Sequence, residues 1–158
     1  MGKRAPIGVI KARGVIIHGN RIFLCKFDPT VYGGPVGSGF FGLPGGTLDP
    51  GETLKECLHR EIVEELGIVG RIGPLVYSQE IIREEHTMFD FWYWIENAED
   101  FLNVDLSQAT HGFEHSEVGF YTLEEFETSG ETYKPLSVKK LLATWIEKGP
   151  VFVEMGRE

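Results

Sequence analysis

The sequence predicts an α+β fold, with a mixed central β-sheet flanked by helices. Three observations point there. Short runs of β-branched and aromatic residues recur along the chain, only two long stretches carry helical periodicity, and Gly- or Pro-containing turns separate them. Strands interspersed with two substantial helices place one helix on each face of a sheet, although periodicity alone leaves the strand order open.

Residues 7–17, IGVIKARGVII, read as a strand. His18-Gly19-Asn20 is a turn signal, and Arg21 to Phe27 alternates as a second strand, so the pair predicts a hairpin. Residues 28–39 contain Pro29, Pro35 and four glycines, and they form a loop that reads equally as a flexible insertion or as a lid over a ligand. Phe40 to Pro44 is a short extended run. A glycine-rich loop then leads into a helix that starts at Glu52 or Thr53 and stops at Gly67. Residues 70–74 read as a turn, 75–82 as a strand, and 83–85 as the turn to its partner, 86–95. That partner, HTMFDFWYWI, has large apolar residues on both faces, as expected of a central strand buried on both sides. Residues 96–112 are polar and acidic and read as a loop, and 118–121 as a short strand. Thr122 to Glu125 has the pattern of a capping box opening a brief helix. A last helix takes Pro135 in its first turn and runs to Glu147, with Leu141, Leu142, Trp145 and Ile146 as its apolar stripe.

At 158 residues the chain suits one domain, 1–158, and its 42% hydrophobic content is that of an ordinary globular protein. Cys25 and Cys57 make no disulfide framework and fit a reducing compartment. Without a long apolar run, the expected location is the cytoplasm and no membrane span is expected. The formal net charge of −9 repels polyphosphate backbones and argues against nucleic acid as a partner. A phosphorylated small molecule remains compatible with that charge where bound cations locally invert the field.

Everything is organised around residues 45–68, GGTLDPGETLKECLHREIVEELGI. At about 100° per residue, Glu61, Glu64 and Glu65 share one stripe of the helix, while Leu58, Ile62 and Leu66 form an adjacent, core-facing stripe. Carboxylates so crowded repel one another, and a hard divalent cation such as Mg²⁺ or Mn²⁺, which prefers oxygen ligands, relieves that repulsion. Taken alone, the acidic stripe would read as a solvated helix face. The upstream spacing changes this. Gly46, Glu52, Arg60, Glu61, Glu64, Glu65, Gly67 and two aliphatic positions fall at fixed intervals across residues 46–68.

This arrangement resembles the Nudix box of the Nudix hydrolase family. The resemblance implies an α/β/α sandwich and hydrolysis of a nucleoside diphosphate linked to another group, with a divalent metal, Mg²⁺ or Mn²⁺. It implies Glu61, Glu64 and Glu65 as metal ligands, joined by the backbone carbonyl of Gly45, with Glu61 a candidate base. It further implies that Glu52 and Arg60 pair to tie the loop to the helix, for which opposite charge and a guanidinium fork are physically suited. Many members supply one more carboxylate from the region of Glu114 and Glu117, and Glu117, just before residues 118–121, fits that location better. Glu56 lies outside the pattern and reads as a solvated charge, and Cys57 as a small, half-buried thiol. The five histidines show no metal-ligand spacing.

Arg13, Lys26 and Arg83 are candidate phosphate contacts, and Phe27, Phe89, Phe91, Trp92 and Trp94 are candidate stacking partners for a base, although core packing accounts for most of these aromatics. Pro74 comes too early for the ADP-ribose branch of the family, and Tyr77 too early for the dinucleoside polyphosphate branch. By elimination the chain is most similar to the MutT-like group, acting on nucleoside triphosphates or related nucleoside diphosphate derivatives. Two other functions stay in view: a nucleotide-binding sensor module that does not cut, and a 5′-end RNA pyrophosphohydrolase, which the acidic balance disfavours. Homodimers are common in the family, so a second copy of the chain is an expected partner.

Overall fold

The structure, a computed structural model, describes residues 8–37, 39–133 and 137–157. Its strands are β1 (Gly8–Val15), β2 (Ile17–His18), β3 (Arg21–Phe27), β4 (Phe40–Gly42), β5 (Gly45–Thr47), β6 (Ile72–Ile82), β7 (Thr87–Ile95), β8 (His115–Thr122) and β9 (Val153–Arg157). Its helices are α1 (Leu54–Leu66), α2 (Leu123–Thr128) and α3 (Ser137–Lys148). Among the described residues, one mixed sheet runs in the order β5-β1-β7-β6-β9, and a second joins β2, β3 and β4, with β8 on β3.

Alternation along the strands builds two cores. On one side, α1 buries Leu58, Ile62 and Leu66 against Ala12, Phe23, Cys25, Tyr93 and Ile95. On the other, α3 buries Val138, Leu142 and Trp145 against Val15, Leu24, Phe41 and Trp92. Strand β7 lies between β1 and β6 and feeds both, with Trp92 facing α3 and Tyr93 and Ile95 facing α1. The result is the expected α+β arrangement of mixed sheet and flanking helices.

Several local expectations change. The N-terminal hairpin is short: Ile17 and His18 pair with Ile22 and Arg21, whereas β1 pairs with β5 and, in parallel, with β7. The chain therefore leaves one sheet at Ile16 and enters the other. Strand β6 begins at Ile72, earlier than the Gly-Pro pair allows for a regular strand. The register with β7 slips between Ile72 and Leu75, and such an irregularity accommodates Pro74, which has no N–H to give the ladder. Strand β8 starts at His115, and β9, paired in parallel with β6, has no counterpart in the sequence reading. Pro135 lies outside the described residues.

One ion pair fastens the two strands beneath the site. The Arg13 Nε lies 2.9 Å from both carboxylate oxygens of Asp90, whose side chain is 0% exposed. Removing one member of a buried pair strands the other charge, whereas replacing both with apolar side chains costs far less. Arg13→Met should therefore lower the unfolding free energy by about 3 kcal/mol. Adding Asp90→Leu should recover most of that loss in urea titrations.

Candidate active site

Helix α1 is set by its ends. The Thr53 hydroxyl accepts a hydrogen bond from the Glu56 N–H while the Glu56 carboxylate accepts one from the Thr53 N–H, closing a capping box. Glu56, expected to be only a solvated charge, thus fixes where the helix starts. Gly67 ends it at φ 70°, its N–H donating to the Val63 carbonyl.

From the second turn Arg60 reaches back across the loop. Its Nε donates to Glu52 Oε1 at 2.5 Å and its Nη2 to Glu52 Oε2 at 3.0 Å, with Asp49 at 3.4 Å and the Thr47 carbonyl at 3.3 Å. Its Nη1 meets Glu61 at 2.9 Å and Glu64 at 3.3 Å. The Arg60 hydrogen bond holds the Glu52 carboxyl down at about 2, and the pairing with Glu52 raises the guanidinium's own pKa.

The loop comes close because it carries glycine where it must. Gly45 has φ 146°, and a Cβ there would lie 2.1 Å from the Ala12 carbonyl oxygen. At Gly46 a Cβ would lie 2.3 Å from the carboxyl carbon of Glu61. Burial, and then the negative charge of Glu65, push the Glu61 carboxyl up to about 7.

The three stripe glutamates have different neighbours. Glu61 and Glu64 share Arg60, and Glu64 also lies 3.3 Å from Nδ1 of His111. Glu65 is buried and points the other way, its Oε2 3.1 Å from Nε2 of His115. Cys25 adjoins this pair. These histidine contacts escaped the sequence reading because each bridges a long stretch of chain, 50 residues in the case of His115 and Glu65.

Beside Glu65 opens a pocket of about 190 Å³, walled by Lys11 and Arg13 of β1, Cys25 and Phe27 of β3, Phe40 of β4, and His115. Arg13, its Nη1 3.5 Å from the Leu43 carbonyl, turns its guanidinium into this wall. Lys11 was not singled out in the sequence. It sits in the same wall, and burial, followed by the charge of Arg13, lowers its pKa. Phe27 is the one candidate stacking aromatic among the wall residues, while Trp92 is in the α3-side core with Trp94 packed against it, and Phe91 packs against the α1-side core. The loop after β3 folds towards this mouth: Tyr32, in a single 3-10 turn (Pro29–Tyr32), stacks on Phe27 and donates to Glu114 at 2.5 Å.

Not every candidate gathers here. Lys26 alternates to the opposite face of β3 from Cys25 and Phe27, where it pairs with Glu131 at 3.3 Å and lies over the Phe41 ring. Glu117 stands opposite Lys26 in the β-ladder, accepts the Tyr121 hydroxyl and lines a separate groove with Glu125 and Glu131. Arg83 is exposed in the turn between β6 and β7. Cys57, expected half-buried, is fully buried and its thiol faces the Gly46 carbonyl at 3.8 Å.

The donor chemistry of Glu61, Glu64 and Glu65 fits a hard divalent cation. Glu61 and Glu65 stand close enough for their charges to oppose ionisation, and such an ion removes that cost.

Comparisons with known proteins agree with this layout. A family model described as NUDIX domain matches residues 10–142. An ADP-ribose pyrophosphatase of Methanocaldococcus jannaschii is 39% identical over 67 residues, which is 41% of this chain and only 37% of that protein. Among solved structures, a NUDIX hydrolase from Nitrosomonas europaea superposes with a TM-score of 0.70 at 16% identity, covering 92% of both chains. A MutT protein from Methanosarcina mazei Go1 superposes with a TM-score of 0.64 at 22% identity, covering 89% of this chain and 94% of its own.

The raised Glu61 pKa has a definite sign in stability. The ordinary value is near 4.5 and the folded value about 7, so the native state holds this proton more tightly than the unfolded chain. The resulting cost is absent below about 4.5, grows through that window and is complete above about 7. In chelator-treated protein at pH 8, Glu61→Gln should raise the unfolding free energy by about 1–2 kcal/mol, allowing for solvent screening. That gain should vanish in melts recorded near pH 4.5.

Proposed function

Since the chain belongs to the Nudix hydrolase family, we propose that it is a divalent-metal-dependent pyrophosphohydrolase. Its substrate in this reading is a nucleoside triphosphate or a related nucleoside diphosphate derivative, cut at a phosphoanhydride. The observation that carries the reading is one juxtaposition. Glu65, one of the three stripe carboxylates of α1, lines a pocket walled by two cations and by the rings of Phe27 and Phe40.

Glu61, Glu64, Glu65 and the Gly45 carbonyl would hold Mg²⁺ or Mn²⁺, which supplies charge neutralisation on phosphate oxygens and an activated water. The chain's own groups do the rest. Arg13 and Lys11 offer positive charge to the phosphates, and Phe27 and Phe40 offer apolar and stacking surface to the base or sugar. Arg60 and Glu52 keep the loop against the helix, so that Gly45 and Gly46 stay close to Glu61. Glu61 is the base in this reading.

The match to an ADP-ribose pyrophosphatase makes ADP-ribose one of the diphosphate derivatives to test, even though Pro74 falls outside that branch's spacing. Purified protein with Mg²⁺ or Mn²⁺ should release a nucleoside monophosphate from at least one substrate in a panel of nucleoside triphosphates, ADP-ribose and other nucleoside diphosphate derivatives, read by chromatography. Glu64→Gln or Glu65→Gln should each reduce that turnover by more than about 100-fold, beyond what loss of an outer-sphere partner usually costs. Binding without product from any of them would leave a sensor module in place of an enzyme.

A further inference from the structure

Three side chains from three elements meet at the floor of the pocket. The Cys25 thiol, a carboxylate oxygen of Glu65 and a ring nitrogen of His115 lie within 4.8 Å of one another. All are enclosed: Cys25 is 3% exposed, and the side chains of Glu65 and His115 are 5% and 6% exposed. The imidazole is not fully satisfied there. Its Nε2 meets Glu65, while its Nδ1 is buried with no hydrogen-bond partner among the described residues. Buried polar atoms without partners are rare in folded proteins, and a bound ion is one of the things that accounts for them.

We propose that Cys25, Glu65 and His115 form a binding site for a thiophilic divalent cation of the Zn²⁺ or Co²⁺ type, distinct from the all-oxygen glutamate set. One sulfur, one nitrogen and one oxygen are the donors such ions select, whereas Mg²⁺ has little affinity for sulfur. Three protein ligands leave the fourth position of a tetrahedral ion open, and the pocket adjoins all three side chains. Burial and the neighbouring Glu65 keep the thiol protonated in the metal-free protein, so binding sends the Cys25 proton to solvent.

Glu65 is the one residue shared with the carboxylate set. An ion bound to Cys25 and His115 holds Glu65 at the pocket floor, where it already lies, and keeps it from joining Glu61 and Glu64 on a second ion. A thiophilic ion therefore antagonises the hydrolysis proposed above. This consequence rests on that proposal; the binding itself does not.

The test needs no substrate. Chelator-treated full-length protein titrated with Co²⁺ alone should develop a thiolate-to-cobalt charge-transfer band in the near ultraviolet, saturating at one equivalent. Zn²⁺ should abolish the band, and Mg²⁺ in excess should leave it. Cys57→Ser should retain it. His115→Gln should weaken Co²⁺ binding by at least about tenfold. Cys25→Ser should lose the band while melting as a folded protein. If Cys25→Ser does not fold, His115→Gln decides, and unchanged Co²⁺ affinity there overturns the proposal. It is equally overturned if stoichiometric Co²⁺ gives no charge-transfer band, or if the band follows Cys57 instead. Failure of the substrate panel would leave each of these readings intact.

Discussion

A single guanidinium holds the candidate site together. Arg60 touches carboxylates from the loop, Asp49 and Glu52, and from the helix, Glu61 and Glu64, as well as the Thr47 carbonyl. Without a cation among them, these acidic groups would push the loop away from the helix and splay the helical stripe. A lysine could not substitute. Its three donors leave from one nitrogen, whereas the planar fork directs separate N–H groups at several acceptors at once. The close approach of Gly46 to Glu61 depends on this clamp, because only a loop drawn tightly onto the helix would make a Cβ at that position intolerable.

The clamp also divides the stripe. Glu61 and Glu64 turn towards Arg60, while Glu65 is left to the interior, where it meets His115 and Cys25. One turn of helix thus presents carboxylates to two environments. The first is partly exposed and shares a positive counter-charge. The second is enclosed and mixed in donor type. Lys11 and Arg13 in the adjoining wall bring positive charge to a protein whose overall balance is strongly negative. Local field therefore matters more here than net charge.

What the sequence made legible was local. The capping residue Thr53, the stop at Gly67 and the shared face of three glutamates all follow from spacing within one helix, where geometry converts sequence distance directly into position. The large apolar residues on both faces of β7 likewise announced a strand buried on both sides. Contacts that depend on topology were invisible. Arg13 and Asp90 are 77 residues apart and meet only because β1 and β7 run in parallel. Lys11 carried no signal of its own for the same reason. Strand β9 is a short segment that completes the edge of a sheet built mostly from distant residues, so no periodicity could reveal it. Lys26 and Glu117 looked suitable by type and location, yet each stands on the strand face away from the pocket.

Next to that pair the ladder carries one extra residue. In the ladder between β3 and β8, Lys26 opposes Glu117 but Phe27 opposes His115, so Ser116 is a bulge. Regular pairing would set Ser116 against Phe27 and carry His115 round to the other side of the strand. The bulged pairing at Ser116 thus determines that an imidazole, and not a hydroxyl, reaches Glu65. Straightening this one bulge would exchange the character of the inner wall without altering a single side chain.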